Sequence, residues 1–318
     1  MRRLIYTLSL LILFASPVAA ETIATSIKPV HSLVAMVLRG IDEPVLLIRG
    51  SPHGGVLKPS QMRTISRAAR IFMLDPNMET VLAKPADGKD SAVYLMESDD
   101  ILVHDIRLSL EEDVHAHDDE DAHHDEDAHH DDHDDAHHDN HAHQHAHDDP
   151  HDFHIWLDTD NARVMLRRIR DELLPVYPDQ AATLNANTEA ALAMLDQLDA
   201  ELAGTLASAK DSNFLVFHDV YQYFEKKYGL KKMEAILDHH NAAVSASRLQ
   251  RLEHYVKHEK ISCIFAEPQF DPKLARLLSE ISGAKLAVLD PIGQTIEEGP
   301  DHYLRMMRNL ASAMINCS

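Results

Sequence analysis

The sequence predicts an α/β protein of two lobes, each built on a parallel sheet, joined by one long helix. Two separate series of short apolar segments alternate with helix-like segments, and a long helical pattern lies between the two series. Continuous apolar strands that alternate with helices are typical of parallel sheets covered on both faces. We therefore expect one lobe at residues 21–177, a linker helix at 178–210 and a second lobe at 211–318.

The first lobe begins with short segments that are rich in β-branched and apolar residues. Helix-like segments separate them, VHSLVAMVLRG at 30–40 and PSQMRTISRAA at 59–69. The predicted strands are Thr22–Ile27, Pro44–Ile48, Arg70–Leu74 and Ile101–Ile106.

The linker between the lobes is predicted to be one continuous helix. Pro178 suits the first turn of a helix, and Asp179 suits the positive end of its dipole. At 1.5 Å per residue the helix is ~45 Å long, enough to span both lobes and to limit hinge motion between them. Helical spacing is shown by Leu184, Thr188, Ala191, Leu195, Leu198 and Leu202.

The second lobe repeats the alternation of strands and helices. Its three predicted strands are apolar throughout, as expected for a sheet that is buried on both faces. They are Phe214–Asp219, Ser262–Pro268 and Leu286–Pro291.

The first twenty residues predict a secretory signal peptide. Arg2 and Arg3 precede an apolar core that runs from Leu4 to Phe14, and small residues stand just before a cleavage site after Ala20. No cysteine follows that site, so we expect a soluble mature protein without a lipid anchor. The periplasm is the natural compartment.

An acidic, histidine-rich tract interrupts the first lobe at residues 111–150. Residues 111–149 hold 17 Asp and Glu, 13 His and no Lys or Arg, and so supply 17 of the 22 excess negative charges. Such a polar segment is expected to be a disordered surface loop. Low-affinity zinc capture at several sites is the functional interpretation, and an inert solvated insertion is the alternative. The tract's histidines are His115, His117, His123, His124, His129, His130, His133, His137, His138, His141, His143, His145 and His147.

The net charge argues against nucleic-acid binding, and the cysteines bear on the kind of metal site. Outside the tract the chain is only mildly acidic, and nothing indicates the basic face that nucleic-acid binding needs. Cys263 and Cys317 are the only cysteines. In an oxidising compartment two cysteines favour a disulfide. Two thiolates that bind metal remain the alternative, although such ligands usually come in close pairs such as C-x-x-C.

Four residues outside the tract carry candidate metal chemistry. His53 follows the strand that ends at Ile48, His218 and Asp290 stand at the ends of later strands, and His154 precedes an apolar segment. Ligands of open α/β sheets bind beyond the carboxyl ends of the strands. Each residue alone could be an ordinary polar residue with no metal to bind. Together the four fit a tetrahedral site of three imidazoles and one carboxylate or water.

The segments that carry these residues resemble the ZnuA-type zinc-uptake solute-binding proteins of ABC transporters, whose wider cluster also takes manganese and iron. The resemblance covers nearly all of the mature chain and rests on SIKPVHSLVA, SPHGGVLKPSQ, FHIWLD, VFHDVYQYFEKKYGL, CIFAEPQFDP and LDPIG. It implies two Rossmann-like lobes joined by a backbone helix, with metal in the cleft between the lobes. It also implies that the histidine-rich tract between the first two histidine ligands is a feature of zinc members.

The resemblance matches His53, His154 and His218 to the family's imidazole ligands and Asp290 to its aspartate. Pro52 stands where some zinc members have a ligating Glu, and Gly55 replaces a family tyrosine. The fourth ligand is therefore expected to be Asp290 or water. Zn²⁺ is the expected metal, because three imidazoles suit a borderline ion, whereas manganese-type relatives carry Glu at the position of His218.

The resemblance implies a monomeric periplasmic protein that captures Zn²⁺ and delivers it to a membrane permease driven by a cytoplasmic ATPase. A periplasmic zinc buffer or metallochaperone that serves other zinc proteins, and a manganese- or iron-uptake protein, are the alternatives. A zinc hydrolase is disfavoured, because the sequence has no H-E-x-x-H motif and no obvious general base beside the ligands.

Two weaker signals lie in the second lobe. His254 and His258 are four residues apart, so one helix face could hold both. The alternative is that they are two surface residues without a third ligand and bind no metal. Glu267 could support a metal ligand or merely end a strand.

Overall fold

The computed structural model describes residues 21–52, 54–107, 150–237 and 244–318. The predicted signal peptide, His53 and the tract's histidines lie outside these ranges. No helix within them is both long and apolar enough to cross a membrane.

The N-terminal sheet is parallel throughout and has the strand order β2-β1-β3-β4. Its strands are β1 (Ile23–Thr25), β2 (Val45–Leu46), β3 (Arg70–Met73) and β4 (Ala92–Tyr94). Its helices are α1 (Lys28–Val37), α2 (Pro59–Arg67), α3 (Thr80–Ala86) and α4 (Thr159–Leu173). The first three predicted strands are confirmed, whereas β4 was not predicted.

The predicted strand Ile101–Ile106 is wrong as a member of the parallel sheet. Only β5 (His104–Asp105) forms there, and it pairs antiparallel with β6 (His151–Asp152) in a separate ribbon. The cause is the side chain of Asn161, which accepts from the Leu102 amide at 2.8 Å and donates to the Leu102 carbonyl at 2.9 Å. The Asn161 amide thus occupies the backbone groups that a strand neighbour would need.

The C-terminal sheet is also parallel, with the order β10-β9-β7-β8. Its strands are β7 (Asn213–His218), β8 (Glu234–Leu237), β9 (Ile261–Ala266) and β10 (Lys285–Val288). Its helices are α6 (Gln222–Tyr228), α7 (Ala246–His258), α8 (Lys273–Ser282) and α9 (His302–Ile315). The three predicted strands are confirmed, and β8 was not predicted.

The C-terminal sheet separates two hydrophobic cores. Successive side chains of a strand point to opposite faces. Accordingly, Phe214 and Val216 join the main core, while Leu215 and Phe217 join a second core that includes the buried face of α7. The main core continues through the linker helix into the N-terminal lobe.

The linker helix is α5 (Ala181–Leu206), preceded by a 3₁₀ turn at Pro178–Gln180. Its buried residues include all six that the spacing predicted, from Leu184 to Leu202. Helix α9 packs against both α5 and α1, so the last helix of the chain reaches into the first lobe.

Cys263 and Cys317 form a disulfide, with 5.5 Å between their Cα atoms. The bond is as predicted, and it excludes the alternative in which these thiolates bind metal. It ties the end of the chain to β9, inside the main core.

Candidate metal centre

A cleft of about 270 Å³, partly open to solvent, lies where segments of both lobes meet. Ser51 and Pro52 contribute to its wall from the N-terminal lobe, beside the position of His53. The remaining lining residues are His154, Trp156, His218, Glu267, Gln269, Phe270, Pro291 and Ile292. The cleft therefore brings together two of the four predicted ligands, His154 and His218.

The two imidazoles lie edge to face inside the cleft. Their ring centroids are 5.8 Å apart and the ring planes are inclined by 74°. Both residues are nearly inaccessible to solvent, with exposed fractions of 8% for His154 and 6% for His218. One ring comes from each lobe, so an ion held by both would bridge the lobes.

His154 is oriented by Asp152. The Asp152 carboxylate lies 2.7 Å from Nδ1 of His154 and also accepts from the His154 amide at 3.0 Å. Its other oxygen accepts from Gln222 of α6 at 3.2 Å. Burial alone would raise the pKa of Asp152, but the His154 ring and these hydrogen bonds lower it below its ordinary value. We infer that Asp152 is ionised and fixes the His154 ring.

His218 is oriented by Glu267 in a similar way. His218 is the last residue of β7, and Glu267 directly follows the neighbouring strand β9. Nδ1 of His218 lies 2.7 Å from Oε1 of Glu267. Burial raises the pKa of Glu267 well above its ordinary value, because the carboxyl group is wholly removed from water. Its Oε2 atom has no hydrogen-bond partner among the described residues.

The two carboxyl groups determine what the rings can bind. A neutral imidazole that donates its Nδ1 hydrogen to a carboxylate carries its lone pair on Nε2. Metal-ligating histidines almost always have such a partner, which fixes the tautomer and makes the ligand more basic. The arrangement thus suits two Nε2 ligands, each supported by a buried carboxyl group. A borderline divalent ion such as Zn²⁺ suits these donors.

Asp290 is held by its own surroundings. One carboxylate oxygen accepts from Gln269 at 3.3 Å, and the other accepts from the Thr295 amide at 3.3 Å. Within the described ranges, no group of three or more His, Cys, Asp or Glu side chains is arranged to hold a metal ion. The structure therefore does not add Asp290 to the two imidazoles. Its role as a ligand stays a prediction, as does that of His53.

The loop after Asp290 is fastened to the N-terminal lobe by Lys28. The nearly buried ammonium group donates to the carbonyls of Gln294 at 2.7 Å and Ile296 at 2.6 Å. Burial lowers the pKa of Lys28 from its ordinary value, against the attraction of nearby carboxylates. Sequence reasoning missed this residue, since it lies more than 260 positions from its partners.

A second fastening joins the His154 segment to the C-terminal lobe. The Trp156 indole donates to the Pro291 carbonyl at 2.8 Å, and the Tyr303 hydroxyl donates to the Trp156 carbonyl at 2.7 Å. The two sides of the cleft are therefore connected by direct hydrogen bonds beside the rings.

The ribbon that leads to the histidine-rich tract is also attached to the C-terminal lobe. Arg107, the last described residue before the tract, pairs with both Asp219 and Glu225. Burial alone would lower the pKa of Arg107, but pairing with these carboxylates raises it above its ordinary value. Tyr223 donates to the Asp152 carbonyl at 2.7 Å, next to the candidate ligand His154. The described residues on either side of the tract are thus attached to the C-terminal lobe near the cleft.

Nearly the whole chain is similar to known zinc-uptake proteins. Residues 23–317 match the family described as zinc-uptake complex component A, periplasmic. The high-affinity zinc uptake system protein ZnuA of Brucella abortus (strain 2308) is 39% identical over 308 residues, which span 93% of this chain and 91% of that protein. The protein of the same name from Haemophilus ducreyi is 31% identical, over 98% of this chain and 97% of its own.

Solved structures share the fold. A crystal structure of ZnuA has a TM-score of 0.72 and 22% identity, over 94% of this chain and 99% of that one. The periplasmic zinc binding protein TroA from Treponema pallidum also has a TM-score of 0.72, with 18% identity over the same shares of the two chains. At these identities the likeness concerns the two-lobed architecture.

Proposed function

The chain belongs to the family of periplasmic zinc-uptake component A proteins, and from this premise we propose that it captures Zn²⁺ in the periplasm and delivers it to an ABC-type importer. The observation that carries the proposal is the pair of imidazoles, one from each lobe, with Nδ1 of each ring on a buried carboxyl group. The relatives that match most of the chain are named for high-affinity zinc uptake.

The proposed binding step uses the two rings as they stand. Zn²⁺ at the Nε2 atoms of His154 and His218 favours the form in which each Nδ1 carries the hydrogen and each carboxyl group is ionised. His53 is proposed as the third ligand, and Asp290 or water as the fourth. Ser51 and Pro52 support the role of His53, because they line the same cleft.

Binding rather than catalysis fits the site. A hydrolytic zinc site needs a general base beside the metal-bound water. Here Asp152 and Glu267, the buried carboxyl groups next to the rings, are each bonded to an imidazole nitrogen. Both groups orient a ring in this arrangement, which supports a binding role for the site.

The family supports a proposal for the compartment and the partners. We propose that residues 1–20 are a signal peptide removed near Ala20, and that the mature monomer meets a membrane permease that works with a cytoplasmic ATPase. The proposed division into lobes at 21–177 and 211–318 around the linker at 178–210 agrees with one parallel sheet on each side of α5.

The ligand proposal is tested by zinc-limited competition against a tight chelator, so that only the strongest site fills. Alanine at His154 or His218 removes one of few bonds to the ion and should weaken binding greatly, and the same is expected for His53. Asp290→Ala should cost less if water takes its place. A histidine variant that keeps the original affinity is not a ligand.

A matched deletion separates the core from the tract. Removing residues 115–147 should leave one tight zinc and reduce the additional weak binding, because the deletion takes away the 13 histidines of the tract and none of the four predicted ligands. Loss of the tight zinc in this deletion would mean that the tract itself is the site.

The two alternative functions make different predictions. In cells short of zinc, deletion of this protein and deletion of the permease should have the same, non-additive effect if the protein feeds the importer. Additive effects would favour the zinc buffer. Preference for Mn²⁺ over Zn²⁺ in the competition assay would favour manganese uptake.

A further inference from the structure

Two exposed imidazoles lie side by side on the outer face of α7, away from the cleft. His254 and His258 are one helical turn apart, and their ring centroids are 4.1 Å from each other. Both residues are exposed to solvent. Neither ring has a hydrogen bond or an ion pair within the described part of the chain.

The position of these rings follows from the helical period. Leu252 and Val256 are buried and pack into the second core. His254 and His258 are each two positions further on, which is about 200° around the helix axis. The histidines therefore point away from the sheet, where neither the core nor the cleft requires an imidazole.

We propose that His254 and His258 form a second metal site, which holds one Zn²⁺ or a similar borderline divalent ion between two imidazole nitrogens. Two histidines at positions i and i+4 on one helix face are the pair that zinc enzymes with the H-E-x-x-H motif use. Here the rings are already adjacent, so one ion can bind both without a change in the backbone.

The end of the helix adds to the attraction for a cation. His258 is the last residue of α7. The free carbonyls of a last helical turn carry partial negative charge, which favours a positive ion there. Glu253 is an adjacent carboxylate, but it pairs with Lys257 at 3.8 Å.

The surface pair should bind zinc less tightly than the cleft does. The protein supplies two ligands and water completes the coordination, whereas structural zinc sites have four protein ligands. Such a site exchanges its ion readily. It gives the C-terminal lobe a surface position for zinc that is independent of both the cleft and the tract.

The test must measure zinc binding at one particular histidine among the 24 in the chain. Carbethoxylation of the full-length protein by diethyl pyrocarbonate, followed by trypsin and mass spectrometry, achieves this. Cleavage after Arg251 and Lys257 releases LEHYVK, in which His254 is the sole histidine. The rate of modification at His254 is measured with added Zn²⁺ and with chelator.

Zn²⁺ should slow the modification of His254 roughly tenfold at about ten times the dissociation constant, because about one site in ten is then free. His258→Ala should abolish this protection, since the pair is broken. Glu253→Gln is the matched control, and it should keep the protection. An unprotected His254 in the original chain, or equal protection in His258→Ala, overturns the proposal.

Discussion

Replacing Glu267 by Gln tests whether the buried carboxyl groups set the zinc affinity. Glutamine keeps an oxygen that can accept from Nδ1 of His218, where the present distance is 2.7 Å, but it removes the charge. Loss of such a supporting partner typically costs 10- to 100-fold in metal affinity. Since the acceptor is kept and the charge lost, we expect the lower end, about tenfold or ~1.4 kcal/mol.

Asp152→Asn should weaken zinc binding to a similar degree, because the His154 contact has the same length of 2.7 Å and Asp152 is equally buried. The double variant measures coupling, since both rings would hold one ion. If the effects simply multiply, the expected loss is about 100-fold. A smaller combined loss means that the two supports act on a shared step.

Asp105→Asn is the matched control. Its carboxylate also contacts Nδ1 of a histidine, His151, at 3.1 Å, but the side chains are 77% and 46% exposed and lie outside the cleft. Zinc affinity should be unchanged in this variant. All variants are compared by zinc-limited chelator competition and by circular dichroism. The reasoning is refuted if a folded Glu267→Gln chain binds as tightly as the original, or if Asp105→Asn weakens binding equally.

Three further outcomes are expected. Serine at both Cys263 and Cys317 should lower the melting temperature, reduce the free energy of unfolding by ~4 kcal/mol at most for a separation of 54 residues, and leave zinc affinity nearly unchanged; lost affinity would contradict the placement of the disulfide outside the cleft. Burial raises the pKa of Glu79 from 4.5 to about 8, so the unfolded chain releases this proton first and stability falls as pH rises between these values. Glu79→Gln should remove that part of the slope, ~3 kcal/mol by about pH 7, in urea unfolding of the metal-free protein; equal slopes would show that another group is responsible. Lys28→Met should destabilise the fold by about 2 kcal/mol, because buried carbonyls lose a charged donor, whereas exposed Lys84→Met should not; equal unfolding midpoints for both would show that the Lys28 contacts contribute little.

The sequence was sufficient for the parts of the fold that depend on local pattern. Segments of five to seven residues, rich in apolar side chains, predicted β1, β3, β7 and β9, and helical spacing predicted the buried face of α5. β4 and β8 were not predicted, and their length of three and four residues does not explain this, since β1 and β3 are equally short.

The failure at Ile101–Ile106 has a different cause. The composition of this segment favours a strand, but the Asn161 side chain takes the backbone groups of Leu102. Asn161 lies in α4, 59 positions away, so no local pattern could reveal the competition. A tertiary contact decided the structure of a segment whose own propensity pointed elsewhere.

In the candidate site, too, the residues next to apolar segments could be predicted from the sequence, whereas their tertiary contacts could not. His154 and His218 could be chosen from the sequence because they stand next to apolar segments, and the fold places both in one cleft. Asp152 left only the weak signal of an acid two residues before a histidine. Glu267 could be named from the sequence as a possible support of a ligand, but its pairing with His218 could not, because the two meet only where β7 and β9 are neighbours in the sheet.

The supports of the cleft also bear on how zinc is held and released. The His154 turn is bonded to the C-terminal lobe through Trp156 and Tyr303, and both rings are oriented by carboxyl groups without help from a metal. If the two rings bind the ion as proposed, they lose little conformational freedom when it arrives, which favours tight binding. The same rigidity means that thermal motion of these two rings does little to release the ion. Under the proposed ligand set, release would then depend on contacts of the ion other than those with His154 and His218.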